Sequence, residues 1–282
     1  MKLLRYGSAG EEKPAALASD GTIRDISGHV GDISGDFLGD EVLGKLRAVD
    51  LRELPMVPDD ARIGPCVARP CNFIAVGLNY ADHAAESGMP IPTEPILFSK
   101  APNSIVGPND DVVMPEGSGK LDWEVELAFV IGKRAYRVNE AEALEYVSGY
   151  CVCNDVSERE WQIGGTGQWL KGKSAPTFGP LGPWLVTRDE IADPGNLGMW
   201  LKVNGETVQE GSTATMIFKV PFLVSYISRF MELLPGDVVT TGTPPGVGMG
   251  FKPPRYLKPG DEMELFVEKL GRQKQKVVSR DS

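Results

Sequence analysis

The segment LDWEVELAFVI, residues 121–131, constrains the fold of this chain more than any other stretch. Its start alternates in the manner of a β-strand, and the apolar run Leu127–Ile131 then continues on both faces, which indicates a strand that enters a core. Glu124 and Glu126 point to the same side of that strand. The simplest interpretation is a strand face in water. The alternative is a pair of carboxylates that binds a cation, because unpaired buried charge is costly.

Asp155 is the third acidic residue of interest. It follows the apolar run GYCVC, at the predicted C-terminal end of a strand, and SEREWQ then predicts the start of a helix. Asp155 or Ser157 could therefore cap that helix by accepting a free backbone N–H. Together with Glu124 and Glu126, Asp155 could instead complete a site for a hard divalent cation such as Mg²⁺, Mn²⁺ or Ca²⁺.

The segment GLNYADHAAESG supplies candidates for acid–base chemistry and predicts a short helix closed by Gly88. His83 and Glu86 are three residues apart and share one face of that helix. A carboxylate beside an imidazole fixes its tautomer and raises its basicity, as a general base for water requires. A structural histidine is the alternative, but the only other histidine, His29, lies in a weakly patterned N-terminal region.

The surroundings of this short helix leave its mobility open. Glycines and prolines flank it, and two helical turns are too short to be stable without packing. Residues 79–92 could form a lid that closes over a ligand. They could equally be a permanently docked helix, pinned by Tyr80 and Met89.

Turn-forming residues dominate the rest of the chain. Glycine (33) and proline (22) make up about a fifth of the 282 residues, which argues against a helical bundle. The segment DEVLGKLRAVD predicts a helix near residues 40–50, and Asn204-Gly205 predicts a hairpin. A proline-rich segment predicts a linker between a small N-terminal α/β domain, residues 1–70, and a second domain, residues 71–282, that would carry the catalytic candidates. The predicted class is α+β, mostly β.

Charge and hydropathy exclude several classes of partner. The net charge of −10 repels phosphate backbones and anionic lipids, so we expect neither nucleic-acid nor membrane binding. Arg229 and Glu232 break the most apolar window, and the N-terminus has no apolar segment of signal length. With four cysteines and no secretion signal, we expect reduced thiols and a cytoplasmic location.

Three lysines and one turn could bind an anion. Lys100 follows a short apolar strand, and Lys171 and Lys173 lie in QWLKGKSAP, which predicts a glycine- and proline-rich loop. Each could hold a substrate carboxylate or simply be solvated. Thr243 lies in the turn TTGTP, whose hydroxyls and amides could receive a carboxylate or could form a rigid turn without a ligand.

Six motifs in one order resemble the fumarylacetoacetate hydrolase family over about residues 70–280. The motifs are GLNYADHAAESG, LFSKAPNSIVGP, LDWEVELAFVIG, NDVSEREWQ, GQWLKGKSAPTFGPLGPW and TTGTPPGVGMG. The resemblance implies a mixed β-roll catalytic fold, a homodimer, and Mg²⁺ or Mn²⁺ bound by Glu124, Glu126 and Asp155. It also assigns water activation to His83 and Glu86.

The resemblance further implies a set of residues around a 2-oxo acid substrate. Lys173 would face the developing enolate or the substrate carboxylate, and Thr243 would bind the carboxylate. The remaining residues of the predicted substrate-binding set are Tyr80, Lys100, Gln168 and Lys171.

The expected reaction is hydrolysis of a carbon–carbon bond in a 2,4-dioxo acid, with release of pyruvate. The opening MKLLRYG is similar to bacterial hydrolases of 2,4-diketo-3-deoxy sugar acids. That likeness favours 2,4-diketo-3-deoxy-L-rhamnonate or its fuconate counterpart, which would give pyruvate and lactate. The alternatives on the same site are oxaloacetate decarboxylation, hydroxymuconate isomerisation and ureidoglycolate lyase chemistry. A non-catalytic 2-oxo-acid binding protein is a different class of alternative.

Two positions depart from the pattern of the family. Many members have Arg where Leu78 stands, so one carboxylate contact is either missing or supplied elsewhere. Many also have Asp in the sequence after Lys173-Ser174, where this chain has Ala175-Pro176. Both departures bear on substrate specificity and leave the predicted metal site intact.

Overall fold

The computed structural model describes residues 1–86, 88 and 90–280. Strands outnumber helices in this part of the chain, and the mostly β prediction is confirmed. The strands are β1 (Lys2–Tyr6), β2 (Lys13–Leu17), β3 (Ile23–Asp25), β4 (Ile63–Gly64), β5 (Phe73–Gly77), β6 (Ile96–Lys100), β7 (Ile105–Val106), β8 (Val112–Met114), β9 (Leu121–Asp122), β10 (Val125–Ile131), β11 (Val147–Asn154), β12 (Ser157–Glu158), β13 (Gly179–Thr187), β14 (Gly198–Val203), β15 (Glu206–Ser212), β16 (Val238–Thr240), β17 (Glu262–Val267) and β18 (Gly271–Ser279).

The helices are short and lie between these strands. The α-helices are α1 (Asp40–Arg47), α2 (Ala81–Glu86), α3 (Arg159–Ile163), α4 (Leu170–Lys173) and α5 (Val220–Ile227). Single 3₁₀ segments span Gly35–Phe37, Leu51–Glu53, Pro102–Ser104, Glu140–Tyr146, Arg188–Glu190, Thr213–Thr215 and Gly248–Gly250. None of the helices within the described ranges has the length and apolar character that a bilayer crossing needs.

Two mixed sheets enclose the main core. The large sheet has the order β3-β2-β1-β13-β11-β10-β16-β5-β6, with β4 and β7 paired to its members β1 and β13. The smaller sheet has the order β15-β14-β17-β18-β8. Apolar side chains such as Leu127 and Phe129 from the large sheet pack in one buried cluster with Leu201 and Leu265 from the small sheet.

Strand β10 is buried along its whole length, as its sequence predicts. Its odd-numbered residues face the small sheet, whereas Ala128 and Val130 face a second cluster that includes Leu43 and Leu46 of α1. The predicted single strand over residues 121–131 is interrupted, however. At the break, side chains replace the strand ladder, because the N–H of Glu124 donates to Asn154 Oδ1 at 3.2 Å and the N–H of Val125 donates to Gln209 Oε1 at 3.0 Å.

The N-terminal region joins the large sheet. Strand β1 pairs with β13, and β2 and β3 extend the same sheet outward. Leu3 and Phe37 share a buried cluster with Phe73 and Leu185. The described contacts therefore place both sides of residue 70 in one continuous sheet, and a separate domain over residues 1–70 stays a prediction.

Local predictions elsewhere have mixed outcomes. The hairpin is confirmed, with Val203 opposite Glu206 and positive φ angles at Asn204 (51°) and Gly205 (83°), as its tight turn needs. The helix near residues 40–50 is α1. All four cysteines are free thiols. Residues Glu140–Tyr146 form a 3₁₀ segment that runs directly into β11.

Gly149 tests how closely the central strands pack. A Cβ atom at this position of β11 would lie 2.3 Å from the carbonyl oxygen of Val186 in β13. Because backbone cannot move aside cheaply, Gly149→Ala is expected to lower the free energy of unfolding by about 1–3 kcal/mol or more. The control is Gly44→Ala, where no atom lies within 4 Å of the new Cβ and a gain of about 0.5–1 kcal/mol is expected. Urea unfolding measures both, and equal midpoints would contradict the packing.

Candidate active site

A cavity of about 520 Å³ opens at one end of the central strands of the large sheet. Strands β5, β11 and β16 end beside the cavity, and β10 begins there. The cavity therefore collects the residues that follow three strands and precede a fourth. Its lining consists of Val76, Gly77, Leu78, His83, Glu86, Phe98, Glu124, Glu126, Asp155, Arg159, Gln162, Ile163, Trp169, Lys173, Gly242, Thr243, Met249, Gly250, Phe251, Lys252 and Pro254.

Three buried carboxylates meet in this cavity. Glu124 directly precedes β10, Glu126 is the second residue of β10, and Asp155 directly follows β11. Because β10 and β11 are antiparallel neighbours, with Val125 opposite Asn154, the three side chains lie side by side. One oxygen from each lies within 4.8 Å of the others. The structure thus brings together the three acids that the sequence predicts as metal ligands.

Asp155 does not cap the helix that follows it. Glu158 is the N-cap of α3, and its carboxylate accepts a hydrogen bond from the N–H of Trp161 at 2.8 Å. The capping alternative for Asp155 and Ser157 is therefore wrong. The side chain of Asp155 is directed instead at two lysines, with Lys100 Nζ at 2.5 Å and Lys173 Nζ at 2.7 Å.

The three acids differ in the number of cationic side chains that they contact. Glu124 contacts Lys173 Nζ at 2.6 Å and Arg159 Nη2 at 2.7 Å. Burial alone would raise the pKa of Glu124, but these two cations outweigh burial and hold that pKa at about 2. Glu126 accepts one hydrogen bond, from the N–H of Gly242 at 3.0 Å, and has no ion pair among the described residues. Burial, followed by Asp155 and Glu124, raises its pKa well above the usual range.

The missing positive charge beside Glu126 is what a divalent cation would supply. Three carboxylates with oxygens in mutual reach suit Mg²⁺ or Mn²⁺, which prefer hard oxygen ligands. The triad could therefore hold a metal ion, which would give Glu126 the positive partner that it lacks among the described residues.

A histidine–carboxylate pair faces the same cavity from α2. His83 Nδ1 lies 3.1 Å from Glu86 Oε2, and His83 is only 7% exposed. The N–H of Gly246 donates to both carboxylate oxygens of Glu86, at 2.9 and 3.1 Å. Because a carboxylate cannot donate, Nδ1 carries the proton of the neutral ring, and Nε2 is left as the basic nitrogen.

The start of the predicted lid is firmly docked. Asn79 is fully buried, and its amide donates to the carbonyl oxygens of Phe218 (3.0 Å) and Thr241 (2.8 Å). Tyr80 is also fully buried and forms a bridge with Met216. In this structure, contacts hold α2 against the core as the docked alternative requires. Met89, the other predicted pin, lies outside the described residues.

Several predicted substrate-binding residues lie elsewhere. Tyr80 and Lys100 are fully buried, with the Tyr80 hydroxyl directed at Met199 Sδ. Gln168 and Lys171 are exposed to solvent. None of these four described residues lines the cavity, so the geometry lends their predicted role no support.

Lys173 and Thr243 do line the cavity, with differences from expectation. Lys173 belongs to α4 and not to a loop, and it is buried against the acids. The Thr243 hydroxyl donates to the carbonyl oxygen of Val125 at 2.9 Å and accepts from Gln209 Nε2 at 2.8 Å. Its single proton is thus already used inside the protein.

The cavity lining also contains residues that the sequence analysis missed. Arg159 contacts Asp122 and donates to Gln162 Oε1 at 2.9 Å, so that a buried cation and an amide stand beside the triad. Phe98 and Trp169 form an aromatic wall. A signal existed for Arg159, which follows Asp155 by four residues in NDVSEREWQ and is the first residue of α3. The aromatic residues carry no such signal, because strands and helices bury aromatic side chains everywhere.

A buried acid triad and a paired histidine, both at the same end of the central strands, define an enzyme-like site that could hold a metal ion. Residues 72–278 match the profile of the fumarylacetoacetate (FAA) hydrolase C-terminal domain. The chain belongs to the fumarylacetoacetate hydrolase family.

Relatives of this chain include proteins named as hydrolases and as isomerases. A Burkholderia multivorans protein, whose name presents it provisionally as a hydrolase, is 60% identical over 276 residues and 98% of each chain. The 5-carboxymethyl-2-hydroxymuconate delta-isomerase of Mycobacterium smegmatis is 32% identical over 99% of this chain and all of its own, with a TM-score of 0.79. A maleylpyruvate hydrolase of Sphingobium sp. SYK-6, solved with manganese(II) and pyruvate, is 28% identical over 99% of each chain, with a TM-score of 0.82.

Proposed function

We propose that this protein is a metal-dependent hydrolase that cleaves the C3–C4 bond of a 2,4-dioxo acid and releases pyruvate. The observation that carries the proposal is the convergence of the acid triad and the His83–Glu86 pair on one cavity. One group of residues can hold a cation against a 2-oxo acid, and the other can activate water. The structural likeness to a maleylpyruvate hydrolase with bound manganese(II) and pyruvate supports the same reading.

The triad would hold Mg²⁺ or Mn²⁺ through Glu124, Glu126 and Asp155. When bound, the ion would supply positive charge for the oxygens of a 2-oxo acid and for the enolate that departs. Four acids, the triad and Asp122, face three cations in this cluster, Lys100, Arg159 and Lys173. With all four acids ionised, a divalent ion would change the formal charge of this cluster from −1 to +1, which suits an anionic substrate.

Water activation falls to His83. Its unprotonated Nε2 would accept a proton from water as the water oxygen bonds to C4, while Glu86 stabilises the imidazolium that forms. The C3–C4 bond then breaks, and its electron pair passes to the pyruvate enolate. A proton returns to C3 to give pyruvate, and the acyl part leaves as a carboxylic acid. The water supplies both the oxygen and the hydrogens that the two products gain.

Lys173 and Arg159 are placed to offset the charge that develops in this step. Both side chains are buried, line the cavity and contact Glu124. Fixed cations in a site shielded from water stabilise developing negative charge more than exposed cations would.

A panel of 2,4-dioxo acids with product identification tests the proposal. Incubation with acetylpyruvate and Mg²⁺ should remove the enol absorbance of the substrate and yield pyruvate and acetate in equal amounts. The panel should include oxaloacetate, a 2-hydroxymuconate and ureidoglycolate, since these are the substrates of the alternative reactions. Release of CO₂ from oxaloacetate, an isomer of unchanged mass or release of urea, without any cleavage of the dioxo acids, would replace hydrolysis by that reaction. Binding of pyruvate without turnover of any compound would indicate a binding protein.

A further inference from the structure

Val125 lies between two of the three predicted metal ligands, Glu124 and Glu126. Strand β16 pairs with β10 only at residues 128–130 and ends at Thr240, so among the described residues no strand reaches Val125 on that side. Val125 is fully buried, and bulk water cannot satisfy its N–H and C=O groups. Buried backbone groups without a partner are costly, and two side chains take the place of the missing strand.

Gln209 and Thr243 supply the missing partners and close a ring of three hydrogen bonds. The N–H of Val125 donates to Gln209 Oε1 at 3.0 Å, and Gln209 Nε2 donates to the Thr243 hydroxyl at 2.8 Å. That hydroxyl donates in turn to the carbonyl oxygen of Val125 at 2.9 Å, which closes the ring. Gln209 is 1% exposed and Thr243 is 3% exposed, so the ring is shielded from solvent.

The direction of every hydrogen bond in this ring is fixed by its partners. A backbone N–H can only donate, so the oxygen of the Gln209 amide faces Val125. The nitrogen of the same amide also donates to the carbonyl oxygen of Pro244 at 2.8 Å, which uses both of its hydrogens. The Thr243 hydroxyl therefore accepts from Gln209 and donates its one proton to Val125. A substrate carboxylate is an acceptor only, so this hydroxyl has no proton to offer it.

Packing holds Gln209 where the ring needs it. Gln209 lies in β15 opposite Leu201 of β14, on the face of the small sheet that packs in the main core. A Cβ atom at Gly211 of the same strand would lie 2.6 Å from Pro244 Cβ. The backbone of β15 therefore packs directly on the residue that follows Thr243, and the two sides of the ring cannot move apart independently.

The ring controls the two peptide groups that join the glutamates. One of its hydrogen bonds involves the N–H of the peptide between Glu124 and Val125, and another involves the C=O of the peptide between Val125 and Glu126. Because each peptide group is planar, holding both planes fixes the relation between the two glutamate Cα atoms. The carbonyl oxygen of Glu124 also accepts from the N–H of Asp155 at 3.0 Å, which connects the third acid to the same backbone.

We propose that Gln209 and Thr243 are positioning residues of the metal site, which hold the two glutamate ligands in the arrangement that binds the ion. The Thr243 hydroxyl then takes no part in substrate binding, contrary to the role that the sequence resemblance implies. This inference rests on the metal site of the proposed function and is independent of which acid the enzyme cleaves. Ligands whose arrangement is set in advance bind a cation more tightly than ligands that must be ordered on binding.

The affinity of the metal-free protein for Mn²⁺, measured by titration calorimetry without substrate, tests this role. Thr243→Val removes the hydroxyl at nearly constant size, and we expect the Kd for Mn²⁺ to rise about 10- to 100-fold, as for other partners of metal ligands. Thr243→Ser keeps the hydroxyl and should keep the wild-type Kd. Gln209→Leu should weaken binding as well. The double variant should bind little more weakly than the weaker single variant, because both substitutions open the same ring.

Thr213→Val is the matched control. Thr213 is a fully buried threonine outside the cavity lining, and its hydroxyl accepts from the N–H of Leu197 at 2.8 Å. Its replacement should lower the Tm and leave the Kd for Mn²⁺ unchanged. If Thr243→Val gives that same result, or if both variants weaken Mn²⁺ binding equally, the ring has a structural role only and the inference is wrong.

Oxalate, which resembles the enolate of pyruvate, separates positioning from substrate contact. If the Thr243 hydroxyl binds the substrate carboxylate, Thr243→Val will keep the wild-type Kd for Mn²⁺. The same variant, loaded with Mn²⁺, will then bind oxalate about 10-fold more weakly or worse. That pair of results would refute the positioning role.

These outcomes are distinct from those that test the hydrolase. If no 2,4-dioxo acid is cleaved but Thr243→Val weakens Mn²⁺ binding and Thr213→Val does not, the proposed reaction fails and the ring keeps its role. If acetylpyruvate is cleaved and Thr243→Val binds Mn²⁺ like the wild type, the hydrolase stands and the positioning role is refuted. A wild type that binds no Mn²⁺ would refute both the metal-dependent reaction and the role of the ring.

Discussion

Replacing Glu126 with glutamine is expected to remove metal binding and lower turnover by more than about 100-fold, since even outer partners of metal ligands contribute 10- to 100-fold. Glutamine preserves the shape of the side chain and an oxygen that can accept from the N–H of Gly242. What it removes is an acid that has no ion pair among the described residues and whose pKa is raised well above the usual range by burial and by Asp155 and Glu124. The metal-free variant should therefore be at least as stable as the metal-free wild type.

Thermal unfolding with and without Mg²⁺ measures the effect independently of activity. An ion at about 100 times its Kd stabilises the wild type by about 2.7 kcal/mol, which corresponds to a rise in Tm of roughly 4–6 °C for a chain of this length. Glu126→Gln should lose that rise. Asp237→Asn is the matched control, because Asp237 is a fully buried acid outside the cavity lining. Its variant can unfold at a lower temperature and should still respond to Mg²⁺. An equal response in both variants would show that the ion binds elsewhere.

Replacing His83 with glutamine is expected to lower kcat by about 10²–10⁴-fold, the usual contribution of a positioned general base. His83 is not a member of the acid triad, so the rise in Tm with Mg²⁺ should persist. This combination distinguishes a base from a ligand. Glu86→Gln should cause a smaller loss, because the amide oxygen can still accept from Gly246 while the charge that supports the imidazole is gone.

His29→Gln is the control for this experiment. His29 is the other histidine of the chain, and its side chain is exposed. Its variant should keep wild-type turnover and the wild-type response to Mg²⁺. Turnover of His83→Gln within a few-fold of wild type, with chemistry shown to limit the rate, would assign water activation to another group.

Short-range sequence patterns were enough to predict the carboxylate pair and the histidine–carboxylate pair of the site. Glu124 and Glu126 share a face because side chains alternate along any strand, and His83 and Glu86 meet because three residues make nearly one helical turn. Such relations depend on a few neighbouring residues. The position of Asp155 at a strand end is local in the same sense, and the pairing of β10 with β11 then brings it to the glutamates.

Relations across the chain were harder to predict. The sequence suggested a solvated or substrate-binding lysine at position 100. In the structure Lys100 is buried and forms an ion pair with Asp155, which is 55 residues away in sequence. The break between β9 and β10 depends on Asn154 and Gln209, which satisfy backbone groups that a ladder would otherwise pair. The aromatic wall joins residues from distant segments, and no sequence spacing encodes which of many aromatic residues converge.

The apolar residues of the cavity lining lie on different parts of the fold from the acid triad. The triad lies at the starts and ends of central strands, whereas Leu78, Trp169 and Met249 lie in segments that connect one strand to the next. Connections tolerate change far better than buried strands do. Libraries randomised at these three positions should therefore often yield folded enzymes whose preference among 2,4-dioxo acid substrates has changed. The same architecture would let a lineage acquire new substrates through a handful of mutations while its bond-breaking step stayed the same.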